Sequence, residues 1–119
     1  MAKKLRLKAD QIEPLATGHG VCIATDMITC KGRPVGFMYR GAPDNEHDSG
    51  WRFMAGVEDQ DYMDDPDNHG IYDVNTIANC DPTIIPLLDS PEGSVFERPP
   101  GAKNFRPVPD WQPPEDPED

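Results

Sequence analysis

The sequence predicts an α+β domain: an antiparallel sheet, built as a meander of about three strands plus a later strand, packed with two or three short helices. Three observations carry this. Apolar residues alternate along residues 35–39 and 51–55, which is the period of a strand. Asp73 and Asp81 stand directly before short apolar runs with helical spacing, as helix caps do. Fourteen prolines and ten glycines divide the 119 residues into short elements.

Taken in order, Lys3, Lys4, Arg6 and Lys8 alternate with Leu5 and Leu7, which fits either a lysine-guarded edge strand or a frayed end. Asp10 can cap one helical turn as far as Leu15, and Thr17-Gly18-His19-Gly20 then breaks it. VCIATDMITC, residues 21–30, reads as a strand rich in β-branched and small residues. After the turn at Lys31-Gly32-Arg33, a period of two places Val35, Phe37 and Tyr39 on one face. Residues 41–45 turn the chain, and Trp51, Phe53 and Ala55 share a face of a third strand ending at Gly56. Consecutive strands with short links pair most simply as an antiparallel meander.

Residues 58–63 suit a short helix with acids in its first turn. Residues 64–70 read as a loop, because Pro66 disfavours helix at Asp65. Asp73 caps a helix over residues 74–79 with Val74, Ile77 and Ala78 inward. Asp81 followed by Pro82 marks a second helix start, burying Ile84, Ile85, Leu87 and Leu88, with Pro86 limiting its length. SVFER, residues 94–98, is the later strand, with Val95 or Phe96 inward. From Pro107 onward there are five prolines, five acids and no basic residue, too little apolar surface to offset the entropy of ordering. The expected division is one domain over residues 1–104 and a disordered acidic, proline-rich tail over 105–119. Trp111 is the one residue of that tail suited to anchoring on a surface.

The chain carries 22 acidic and 11 basic residues, a formal charge of -11. A field of that sign repels nucleic acid and anionic membrane surfaces. No segment approaches the roughly 20 apolar residues of a membrane span. Cys22, Cys30 and Cys80 are odd in number and lack C-x-x-C spacing. With no export signal in MAKKLRLKAD, a cytoplasmic protein with free thiols is expected.

The acids concentrate in residues 44–73, where ten carboxylates face a single cation, Arg52. A salt bridge to a neighbouring acid is the expected role of Arg52. The order Asp65-x-Asp67-x-His69-Gly70 opens like a calcium loop, but His69 replaces an oxygen ligand and Thr76 stands where a bidentate glutamate is needed. The favoured reading there is an Asx-rich turn, and no metal or cofactor is expected. His19, His47 and His69 lack zinc-ligand spacing. Ser49, Ser90, Ser94 and the cysteines have no nucleophile motif around them. No catalytic residue is assigned.

The strings LATGHGVCIATDMI, VGFMYR, PDNEHDSGWRFMAG and YMDDPDNHGIYDVNTIANCDPTIIPLLDSPEGSVFER closely resemble a family of small bacterial domains. That family was first labelled only as a domain of unknown function and is grouped with predicted immunity proteins of polymorphic toxin systems. The resemblance spans about residues 5–100. It implies an α+β domain without established catalytic residues, whose partner is a toxin protein. The expected function is therefore non-catalytic binding of a toxin, one with a basic surface. Asp44, Glu46, Asp48, Asp59, Asp61, Asp64, Asp65 and Asp67 are the expected charged contacts, and Tyr62 and Tyr72 the aromatic anchors. The alternative is a metal-dependent or small-ligand-binding domain, or an enzyme, using the same acids with His47 or His69.

Overall fold

The computed structural model describes residues 5, 7, 9–43, 45–99 and 101–108. Strand β1 (Val21–Thr25) forms where small and β-branched residues meet. Its start is fixed by Gly20, at φ +92°, where a Cβ would stand 2.5 Å from the His47 carbonyl oxygen. That carbonyl accepts a hydrogen bond from the Val21 amide at 2.8 Å. The strand expected to run to Cys30 stops at Thr25. Asp26 opens a single helical turn, α1 (Asp26–Thr29), as an acid in its first turn, where the helix dipole favours negative charge. The turn buries the adjacent pair Ile28 and Thr29 together, whereas a continuing strand would have sent them to opposite faces.

Strands β2 (Phe37–Arg40) and β3 (Asp48–Met54) are antiparallel partners. β3 also lies parallel to β1. With β4 (His69–Asp73), β5 (Val95–Glu97) and β6 (Arg106–Pro107), the sheet order is β4-β1-β3-β2-β5-β6. The sheet is therefore mixed, which corrects the purely antiparallel meander. α1 and the turn after it carry the chain one place past its neighbour, so β3 takes the place beside β1 that β2 was expected to fill.

The phase of β2 is also shifted. Met38 is fully buried, while Phe37 and Tyr39 are half-buried; Val35, fully buried, precedes the strand. The slip occurs at Gly36, which donates to the Met54 carbonyl at 2.9 Å. A Cβ there would meet the Ala55 carbonyl oxygen at 2.1 Å. The chain therefore pinches against the end of β3 between two buried residues that lie three apart.

Helix α3 (Val74–Cys80) forms as the sequence indicates: the Asp73 carboxylate accepts from the Asn75 amide at 2.8 Å, and Val74, Ile77 and Ala78 are buried. Asp81 caps the 3₁₀ turn Pro82–Leu87, which buries Ile84. These side chains, Ile28 and Leu88 pack on Cys22, Ala24, Met38, Trp51 and Phe53 of the sheet to make the core. Before β1, Asn75 holds the incoming chain: its Oδ1 accepts from the Leu15 and Ala16 amides at 2.8 Å each, and its Nδ2 donates to the Glu13 carbonyl. The helical turn expected over residues 10–15 is instead a 3₁₀ turn at Ala9–Gln11.

β5 falls where expected, with Val95 buried. β6 lies inside the stretch assigned to the tail. The Val108 amide donates to the Val95 carbonyl at 2.9 Å, and Phe105 lies 4.6 Å beneath the Arg98 guanidinium. Pairing to the sheet thus reaches residue 108, past the expected boundary at 104. Residues 109–119 with Trp111, the basic positions Lys3, Lys4, Arg6 and Lys8, and Asp44 lie outside the described residues. Among the described residues no helix is long and apolar enough to cross a membrane.

Candidate functional site

Helix α2 (Gln60–Asp64) and the 3₁₀ turn Pro66–Asn68, with their caps Asp59 and Asp65, carry five of the eight acids singled out from sequence. Each begins on an aspartate cap. Asp59 accepts from the Tyr62 amide at 2.8 Å, and Asp65 accepts from the Asp67 amide at 2.9 Å. The second is the Asx turn expected from Asp-Pro-Asp. Side chains close the segment from within: Gln60 Nε2 donates to Asp64 at 2.7 Å, Asn68 Nδ2 donates to the Tyr62 carbonyl, and His69 Nε2 lies 3.0 Å from the Met63 carbonyl.

The segment is moored by Glu58, which was not singled out from sequence. Its carboxylate accepts from the Thr25 hydroxyl at 2.5 Å and from the Ala55 and Gly56 amides at 2.8 Å each. Burial alone would push the Glu58 carboxyl up. The hydrogen bond from Thr25 and those from the backbone amides outweigh it, and the group sits below its ordinary value. A glutamate two residues after a chain-reversing glycine was the available signal. Tyr62 lies half-buried against α1. Burial first, then the Asp26 carboxylate, raises its hydroxyl pKa, while a hydrogen bond from the Met27 amide lowers it.

Asp59, Asp61, Asp64, Asp65 and Asp67 are all exposed on this short segment. No lysine or arginine occurs between Arg52 and Arg98, so no neighbour in sequence neutralises them. Asp26 adds its charge at the same end of the sheet.

Glu46 and Asp48 lie elsewhere. In the sheet register Asp48 and Asp73 both stand opposite Val21, whereas His69, at the end of the acidic segment, stands opposite Thr25. Four residues of extended chain separate the two positions, about 13 Å. The acids of residues 44–73 are thus divided between two ends of the sheet. Glu46 is exposed beside His47, 3.6 Å away. Asp48 serves the fold: it pairs with Arg52 at 2.9 Å, the salt bridge expected of Arg52, and accepts from the Gly50 amide. Tyr72 is also engaged internally. Its hydroxyl accepts from Thr29 at 3.2 Å, and its ring lies against Gly70 and the core.

Two surface clefts accompany these features. One of about 640 Å³ lies between Arg33, Phe37, Val57 and Arg106; the ion pairs Arg98–Asp81 and Arg106–Glu97 line it. Another of about 460 Å³ gathers His19, Glu46, His47, Asp48 and Asp73. Among the described residues no three His, Cys, Asp or Glu side chains are grouped as metal ligands. Cys22, Cys30 and Cys80 are free thiols.

A family model described as the immunity protein Imm33 domain matches residues 22–108, which run from β1 to just past β6. The chain belongs to the Imm33 immunity protein family. No curated protein and no solved structure matches it. The Imm33 match includes the whole acidic segment, and it ends where the pairing of Val108 to β5 ends.

Proposed function

We propose that this Imm33 chain protects the cell that makes it by binding a toxin with a basic surface, in the cytoplasm and without chemistry of its own. Membership of an immunity family supports a protein partner. The observation that carries the electrostatic part is the five exposed carboxylates between Asp59 and Asp67, held on two capped turns and moored by Glu58. A preorganised anionic ridge of this kind steers a cationic partner and fixes its orientation, and the contacts made after docking set the lifetime of the complex. Tyr62, half-buried at the foot of the ridge, is its aromatic anchor. The ridge replaces the wider contact set: Glu46 belongs to the other end of the sheet, and Asp48 and Tyr72 support the fold.

The test is association with the toxin domain encoded beside this chain, followed by rapid mixing across a salt series. The expected result is an association rate that falls about tenfold or more as salt rises from low to physiological strength, with a smaller change in dissociation rate. An association rate that ignores salt removes the steering role of the ridge. No complex at all removes the immunity reading.

A further inference from the structure

The two edges of the sheet are built differently. β6, at one edge, has two residues, one of them Pro107, which has no amide hydrogen to offer. That is a protected edge. β4, at the other edge, has five residues, HGIYD, with no proline and no lysine. Among the described residues no strand pairs with its outer side. The Val74 amide donates to the Gly20 carbonyl, and Tyr72 and Gly70 stand opposite Cys22 and Ala24. In an antiparallel ladder this phase turns the backbone of Tyr72 and Gly70 toward β1, and the N–H and C=O of Ile71 and the N–H of Asp73 outward. Ile71, at the middle of this open edge, is 73 % exposed, the most exposed large apolar side chain described. It extends a cross-strand row through Ile23 of β1.

We propose that β4 is the strand onto which the partner docks, and that the partner supplies a basic extended segment as a seventh strand. This inference rests on the reading of the chain as an immunity protein and names the surface it uses. Charge complementarity selects the occupant. β4 follows directly on the acidic ridge and ends on Asp73, so a strand laid along it meets carboxylates at both ends. A second copy of this chain would bring a formal charge of -11 against another -11; a lysine- or arginine-bearing strand meets the opposite sign. Backbone pairing along Ile71 supplies affinity that does not depend on the partner's side chains, and the apolar row supplies register.

The full-length chain with the neighbouring toxin domain as probe gives the test. In wild type, amide exchange at Ile71 and Asp73 is expected to slow on binding, while amides of β6 do not change. I71P removes an amide hydrogen that β1 does not use, so its melting temperature stays close to wild type while toxin affinity falls about tenfold or more. I71T, which keeps the amide, loses only a few-fold. Binding with unchanged exchange at Ile71, or with full affinity in I71P, overturns the β4 site while leaving the immunity reading intact. Failure of wild type to bind the toxin removes both. A wild-type dimer by sedimentation that I71P dissolves assigns the edge to a second copy and overturns the basic-strand proposal.

Discussion

Replacing Asp81 by alanine is expected to lower the unfolding free energy by about 3–5 kcal/mol, the cost of leaving one member of a buried ion pair unpartnered. Asp81 is only 6 % exposed. One carboxylate oxygen accepts from the Val35 amide at 2.9 Å and from Arg98; the other accepts from the Thr83 amide at 3.2 Å and the Thr83 hydroxyl at 2.5 Å. Arg98 also donates to the Val35 carbonyl at 2.7 Å and to the Thr83 hydroxyl. This one carboxylate therefore ties the end of α3, the chain entering β2 and the end of β5 together. Alanine leaves a buried guanidinium without its anion and a buried amide without an acceptor. For a domain of this size the melting temperature should fall by roughly 15–30 °C. Asp81→Asn keeps one acceptor oxygen for the Thr83 cap but sets an NH2 against the Val35 amide and Arg98, so it should lose less than alanine yet remain clearly destabilised. A fall below about 1 kcal/mol in urea unfolding of Asp81→Ala would show that the hub contributes little.

The same carboxylate gives the fold a pH dependence. Burial would raise the Asp81 pKa, but the hydrogen bonds from Thr83, Val35 and Arg98 hold it below the ordinary 3.8. Glu58 is likewise held below 4.5. A lowered folded-state pKa means the unfolded chain binds the proton more readily. The stabilisation is therefore complete above those ordinary values and is lost as pH falls below them. Acid unfolding should begin below about pH 4.5 and should be blunted in Asp81→Asn.

Trp51→Ala is expected to cost a similar amount, about 3–5 kcal/mol, for a different reason. Trp51 lies on β3 between β1 and β2 and is fully buried. Its ring stacks on Phe53 with centroids 6.0 Å apart, Arg40 lies 5.8 Å over its face, and its Nε1 donates to the Leu88 carbonyl at 3.2 Å. Truncation opens a cavity at the junction of sheet and helix layer and strands the Leu88 carbonyl. Urea unfolding should show a lower midpoint with an unchanged slope. A loss under about 1 kcal/mol would mean that the neighbouring side chains refill the space.

What the sequence disclosed follows from range. Asp73 and Asp81 could be read as caps because a cap acts on amides two or three residues away. Trp51 and Phe53 could be assigned to the core because alternation within one strand is local. The parallel pairing of β1 with β3 was hidden, since α1 is a single turn inside what looks like a continuous strand. The phase of β2 turned on a contact between Gly36 and Ala55, remote in sequence. β4 was read as loop and cap because its five residues include Gly70 and His69 and only one side chain, Ile71, is strongly apolar. For the site, composition located the acids but not their employment. Asp48 and Arg52 are four residues apart on one strand, and the register of β3 against β1 is irregular between them, which the sequence does not show. The separation of Glu46 from the ridge is likewise a property of the sheet order.

The most direct measurement is the affinity of the neighbouring toxin domain for D61N/D64N/D67N at physiological salt. These three ridge acids are exposed and cap no element, so the melting temperature should hold. The expected affinity is roughly a hundredfold below wild type, with loss of protection when toxin and variant are produced together. Wild-type affinity in the variant would contradict the docking role of the ridge.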